Sequence, residues 1–132
     1  MGVSLTRTTR LFPGAPYAYS SLAHEAGLIF AAGACPLNEE GQVTAPGDIP
    51  AQMRQALANL RVVLEEAGVT IRDVLKTTVY VADRDDLVAA WNEVAAAFGD
   101  HDVPSTLLGV TVLGYRDQLV EIEAVAARPA RA

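Results

Sequence analysis

Leu119-Val120-Glu121-Ile122-Glu123-Ala124-Val125-Ala126-Ala127 reads as a strand with two unequal faces. Side chains alternate along an extended chain, so Val120, Ile122, Ala124 and Ala126 make one wholly apolar face, suited to a layer of helices. Leu119, Glu121, Glu123 and Val125 make the other, which carries two carboxylates about 7 Å apart. A carboxylate set among apolar neighbours has to be paired, hydrogen-bonded or used.

The helices to cover that first face stand upstream. Residues 49–67 place Met53, Ala56, Leu57, Leu60, Val63 and Leu64 on one stripe, with Gln52, Gln55, Asn59, Arg61 and Glu66 on most other positions. Asp48 fits an N-cap and Gly68 a left-handed C-terminal cap. Residues 85–98 predict a second helix that buries Leu87, Ala90, Trp91, Val94 and Phe98 and closes at Gly99. Strands are predicted at 6–11, 17–25, 28–34, 74–81, 106–112 and 119–127. The order is β-β-β-α-β-α-β-β, an α+β chain with a six-stranded mixed sheet and two helices on one face. The remaining face should then be polar. Instead Leu28, Phe30, Ala32 and Ala34 back onto Ile29, Ala31, Gly33 and Cys35, and Leu107, Gly109 and Leu113 back onto Leu108, Val110 and Val112. A sheet apolar on both sides with helices for one implies a second protein surface, hence an oligomer.

No repeat, linker or low-complexity run divides residues 1–132, and the loop over 37–50 is too short to separate domains. A single domain is expected. Ten Lys and Arg against 16 Asp and Glu give a net charge of −6, which argues against nucleic acid as a partner. Aromatic residues are 6% of the chain, few for a stacking groove. No apolar run nears the ~18 residues of a membrane span. The first residues lack the apolar core of a signal peptide, so a cytoplasmic protein is expected. His24 and His101 have no metal-site spacing, and the one cysteine, Cys35, is read as a small buried hydrophobe because no histidine or cation accompanies it.

A set of short pieces occurs in order: Ala15-Pro16-Tyr17, Ala32-Gly33-Ala34-Cys35-Pro36, Gln52-Met53-Arg54-Gln55-Ala56-Leu57-Ala58-Asn59-Leu60 and Glu66-Ala67-Gly68. Asp73-Val74-Leu75-Lys76-Thr77-Thr78-Val79-Tyr80-Val81, Asn92 and Val120-Glu121-Ile122-Glu123-Ala124 follow. On these the chain resembles the Rid family, the reactive-intermediate deaminases also called the YjgF family, over nearly its whole length. The resemblance implies a chorismate-mutase-like fold and a homotrimer with a small-molecule cleft at each subunit boundary. It further implies hydrolysis of an enamine or imine to a keto acid and ammonia, with no cofactor and no metal.

Carried over residue by residue, the resemblance makes Glu121 the catalytic glutamate that orients or activates water. It makes Tyr17 and Gly33 cleft residues and Asn92 a residue near the subunit boundary. Active members hold the substrate carboxylate with an arginine; counted back from Glu121, that position is Thr106, within Pro104-Ser105-Thr106-Leu107-Leu108. The family's frequent serine is Ala32 here, and its cleft cysteine is Leu108. Threonine in place of a bidentate arginine forfeits about 1.5–3 kcal/mol, roughly 10- to 150-fold in affinity. The chain therefore resembles an arginine-lacking branch, in which Thr106, Leu107 and Leu108 make the substrate pocket more apolar and activity on small 2-imino acids is weak or absent. Arg116, in a turn, is a candidate substitute cation or an ordinary solvated arginine.

Two functions follow. One is a cofactor-independent hydrolase of imines, enamines or related reactive intermediates, with Glu121 as base. The other is a non-catalytic trimer that binds a metabolite or regulates, with Glu121 as a structural carboxylate, Tyr17 as ordinary packing and Gly33 as a small residue where strands meet. Glu123 is read as structural.

Overall fold

The computed structural model describes residues 2–129; Met1 and residues 130–132 lie outside the described residues. The elements run β1 (Val3–Thr6), β2 (Ser20–Ala23), β3 (Leu28–Ala31), α1 (Ile49–Glu66), a 3-10 turn (Ile71–Asp73), β4 (Val74–Val81), α2 (Leu87–Phe98), β5 (Ser105–Gly109) and β6 (Val120–Ala127). The strands form a six-stranded sheet in the order β1-β2-β3-β6-β4-β5. β4 and β5 are parallel and every other pair is antiparallel, so the sheet is mixed as expected. The parallel pair needs a crossover, and α2 is that crossover.

Helix α1 begins where its cap predicts: Asp48 accepts a hydrogen bond from Ala51 N at 2.9 Å, and Pro50 sits in the first turn. Gly68 takes φ +83° past its end, and Gly99 takes φ +58° past α2. The core lies between the helices and the apolar face of β6, where Val120, Ile122, Ala124 and Ala126 meet Met53, Leu57, Leu60, Val79, Val94 and Phe98. Trp91 and Leu87 are only partly buried at its margin.

Four expectations are corrected. The first strand ends at Thr6 rather than starting there, because Thr8 Oγ1 donates to Glu66 Oε1 (2.6 Å) and accepts from Arg10 N (3.1 Å). Such local bonds compete with a strand ladder. Gln52, assigned to the solvent side of α1, is fully buried. Leu107, expected in the substrate pocket, opposes Val79 and faces the helices, on the side of its strand away from Thr106 and Leu108. The fourth concerns Ala34. Phe30 opposes Val125, but Ala34 opposes Ile122, so four steps along this strand match three along β6. One extra residue bulges out between them and turns Ala34 onto the helix face with Ile29.

The other face of the sheet carries Lys76, Thr78 and Tyr80 of β4, Glu121, Glu123 and Val125 of β6, Thr106 and Leu108 of β5, and Phe30. Phe30 is 48% and Leu108 41% exposed, so this face is open in the single chain. Among the described residues no helix is long and apolar enough to cross a membrane.

Candidate functional site

The bulge in β3 leaves room for a carboxylate. Glu121 points from the open face of β6 towards Gly33, where a Cβ would sit 2.6 Å from Glu121 Cδ and overlap its Oε2. Gly33 is small here because a side chain has to pass, not because its backbone is strained.

Two donors fix the other carboxylate oxygen. Gln118 Nε2 donates to Glu121 Oε1 at 3.1 Å and to Val120 O at 2.9 Å, while Gln118 Oε1 accepts from Tyr115 N at 3.1 Å. Cys35 Sγ lies 3.5 Å from the same Oε1 and 3.6 Å from Gly33 O. Burial, then the charge of Glu121 and the hydrogen bond to it, push the Cys35 thiol up to about 12. Near neutral pH it is therefore a protonated donor to Glu121. Among the described residues no donor is bonded to Oε2.

Around this carboxylate lies a cavity of about 260 Å³ lined by Tyr17, Ala32, Gly33, Cys35, Gly114, Tyr115, Gln118 and Glu121. Burial, then the hydrogen bond with Tyr115, raises the Tyr17 hydroxyl well above the usual phenol range. Tyr17 packs edge-on to Tyr19, with ring centroids 5.8 Å apart, and Tyr19 donates to Phe12 O at 2.6 Å. Beyond Tyr17 a much smaller cavity, about 20 Å³, shares Ala32, Gly33 and Cys35 and reaches Leu11, Phe12, Asn59 and Val63.

Two amides of α1 hold the walls in place. Gln52 Nε2 donates to Asp117 O (2.9 Å) and Ala45 O (3.3 Å), and its Oε1 accepts from Leu119 N (2.8 Å), which fixes the turn that presents Gln118. Asn59 Nδ2 donates to Cys35 O and Leu37 O, both at 2.9 Å, which fixes the segment that presents Cys35.

Of the sequence-derived site residues, Tyr17, Gly33 and Glu121 share the cavity. Thr106 and Leu108 lie two strands away on the same open face, where Lys76 Nζ donates to Thr106 Oγ1 at 3.0 Å. Leu107 is on the opposite face, and Asn92 is exposed on α2, in the helix layer. Arg116 is exposed and does not line the cavity. The sequence reading took Cys35 for a small buried hydrophobe and did not single out Tyr115 or Gln118. Only the two-residue offset from Gly33 to Cys35 hinted at the first; nothing marked the others. Next to Glu121 on its strand, Glu123 accepts from Tyr80 OH at 2.6 Å, and that bond first, then burial, pushes the Tyr80 hydroxyl up to about 12. Among the described residues no group of three His, Cys, Asp or Glu is placed to hold a metal ion.

A family model described as endoribonuclease L-PSP matches residues 9–128. The chain belongs to this family, the YjgF/Rid family. A RutC family protein of Pyrococcus horikoshii is 36% identical over 108 residues, 82% of this chain and 85% of that one. The 2-iminobutanoate/2-iminopropanoate deaminase of Escherichia coli K12 is 33% identical over 129 residues, 96% of this chain and 99% of that one. A Rid-family protein from Yersinia pestis, described as of unknown function, superposes with a TM-score of 0.85 at 28% identity, covering 95% and 98% of the two chains. The YjgF-like fold expected from the sequence is the fold of this Rid chain. In it the Glu121 cavity forms where the β3 bulge, the 114–118 turn and β6 converge.

Proposed function

We propose that this Rid-family chain is a cofactor-independent imine or enamine hydrolase with Glu121 as its catalytic base. Membership alone supports the coarser statement, a deaminase-like or small-molecule-binding role of the Rid type. The observation that carries the sharper one is the division of labour at a single carboxylate. Oε1 is occupied by Gln118 and Cys35, while Oε2 lies over Gly33, which lines the cavity, and has no bonded donor among the described residues. A water bonded to Oε2 gives it a proton as its oxygen attacks the imine carbon, and the C=N electron pair moves to nitrogen. The carboxyl group returns that proton to nitrogen and the C–N bond breaks. The remaining hydroxyl proton passes to the departing nitrogen, so a neutral imine and water give a carbonyl compound and ammonia.

The reading includes a homotrimer in which the Thr106 and Leu108 corner of one protomer faces the Glu121 cavity of the next. Lys76 supplies Thr106 with a cation but lacks the fork that clamps a carboxylate. Small 2-imino acids are therefore expected to be poor substrates. The ribonuclease name of the family finds no support in a chain of net charge −6 whose cavity is lined by neither Lys nor Arg.

The test is ammonia release from freshly generated imines by wild type, Glu121→Gln and Thr106→Arg. Wild type should be slow on 2-iminobutanoate and Thr106→Arg faster. Glu121→Gln should lose about 10²- to 10⁴-fold in kcat on whichever imine wild type accepts. An unchanged kcat in Glu121→Gln removes it as the base. No turnover of any imine, with ligand binding indifferent to Glu121→Gln, leaves the non-catalytic trimer as the better account.

A further inference from the structure

Gln118 is 4% exposed, and the polar groups of its side chain are engaged inside one chain. Its Oε1 accepts from Tyr115 N at 3.1 Å and its backbone N donates to Tyr115 O at 3.1 Å, so the two residues close the turn from both ends. Gln52 grips the backbone on either side of it, at Asp117 O and Leu119 N. With Oε1 facing Tyr115 N the amide has one orientation, because a flip would set its N–H groups against another N–H. Those two N–H groups then go to Val120 O at 2.9 Å and to Glu121 Oε1 at 3.1 Å. The bonds to Tyr115 and Val120 hold the turn; the bond to Glu121 is the one that reaches into the cavity.

We propose that Gln118 is the positioning residue of the Glu121 carboxylate: by holding Oε1 it makes Oε2 the oxygen that takes the proton from water. The inference rests on the imine-hydrolase reading and adds to it a residue that acts through Glu121. A carboxylate carries two like oxygens on a rotating bond. An N–H fixed on one of them sets both the rotation and the oxygen that is left as the base. Cys35 donates to the same Oε1, but a thiol is the weaker donor, so the amide carries most of the hold. Oε2, over Gly33, has no bonded donor among the described residues and keeps its lone pairs for a water. All of these bonds lie within one chain, so the assignment does not depend on what a neighbouring protomer adds to the cleft. Both N–H groups of Gln118 are engaged and its Oε1 faces Tyr115 N, so its effect on the reaction passes through Glu121 rather than through the substrate.

Two variants of similar side-chain length test it on the full chain. Gln118→Met removes the donor, and Gln118→Glu keeps an oxygen for Tyr115 N but sets a second acceptor against Glu121. A Tm cycle over wild type, Gln118→Glu, Glu121→Gln and the double variant reads the contact without any activity. Gln118→Glu should lower Tm. Adding Glu121→Gln, which supplies a donor at 121, should recover at least about half of that fall, more than the same change does for wild type. A Gln118→Glu chain that unfolds while the double variant folds shows the same coupling. Additive changes in Tm overturn the inference. The kinetic arm uses ammonia release from whichever imine wild type hydrolyses. Gln118→Met, with its circular dichroism unchanged, should lose at least about tenfold in kcat while KM stays within about twofold of wild type. An unchanged kcat, or a raised KM with kcat intact, overturns the inference and leaves the hydrolase standing. Coupled Tm values with no turnover of any imine by wild type overturn the hydrolase reading instead, and confine Gln118 to holding a carboxylate that binds.

Discussion

Cys35 stands 3.5 Å from a carboxylate oxygen, the wrong company for a nucleophilic thiol. A reactive thiolate needs a cation or an open helix end beside it. Here burial and a neighbouring negative charge both oppose ionisation and hold the thiol protonated up to about 12, against an ordinary 9.0. The consequence for stability has a definite sign. In the unfolded chain the thiol ionises near its ordinary value while the native thiol keeps its proton. The native contribution is thus fully present below about pH 9 and is lost as pH rises towards about 12. Replacing Cys35 with serine removes this titration, so the fall in Tm between roughly pH 8 and pH 10.5 should be smaller in Cys35→Ser than in wild type. A parallel fall in both proteins would show that Cys35 does not titrate in that window. Gly33 makes a second residue-scale prediction. The atoms an alanine Cβ would meet belong to the end of a flexible glutamate, so the fold tolerates Gly33→Ala with little change in Tm. The carboxylate moves instead and leaves its bonds to Gln118 and Cys35. A displacement of this size should cost on the order of 10²-fold in kcat for imine hydrolysis. Unchanged kcat would mean that the position of Glu121 is not critical.

At the scale of elements, α1 does more than cover the sheet. Its two amides, seven positions apart and so on one side of the helix, hold the two segments that place Gln118 and Cys35 on Glu121. Gln52→Leu keeps the apolar packing but leaves Leu119 N and Asp117 O without their partner, at a cost of about 1–3 kcal/mol for each group that stays buried. Thermal unfolding should show a clear drop in Tm, and activity at temperatures below the transition should fall as well, because the Gln118 turn is no longer anchored. Activity equal to wild type would confine Gln52 to a stabilising role. The same helix shows what its sequence discloses. The stripe of Met53, Ala56, Leu57, Leu60, Val63 and Leu64, the Asp48 cap and the Gly68 end are local patterns, legible because helix period and capping are local physics. A glutamine at a polar-looking position gives no local sign that the chain returns 65 residues later with a carbonyl for it. The β3 bulge is hidden for the same reason. Nothing in residues 30–34 shows that one step is skipped until the partner strand fixes the count. Glu121 stood out from the alternation of its strand, Tyr17 and Gly33 were named beside it only through the family resemblance, and Leu107 was named for the pocket although alternation puts it on the side of its strand away from Thr106 and Leu108.

At the scale of the molecule, the open face of the sheet is the feature that still needs a partner. It presents Phe30, Leu108 and Val125 between Glu121, Glu123, Lys76 and Thr78, a mixture too apolar for a free surface and too polar for a simple core. Its charges are already partly arranged: Tyr80 donates to Glu123, and Lys76 donates to Thr106, so the polar groups enter an interface with partners in hand. Rotational closure lets three such faces meet without leaving an edge for further growth, which is the trimer that the family resemblance implies. Light scattering at micromolar concentration should then give about 42 kDa, three times the 13.9 kDa chain. Phe30→Asp is the variant that isolates the face, because Phe30 is 48% exposed and contributes nothing to the core beneath. In a monomer the change costs little, within about 0.5 kcal/mol for a surface position away from special features. In an interface it buries an unpaired charge, so the mass should drop towards 13.9 kDa while circular dichroism keeps the native helix content. Activity should fall with the mass if the cleft is shared between protomers. A wild-type mass of one chain would remove the trimer, and with it the shared cleft; a dissociated Phe30→Asp with full activity would place the whole site within one protomer.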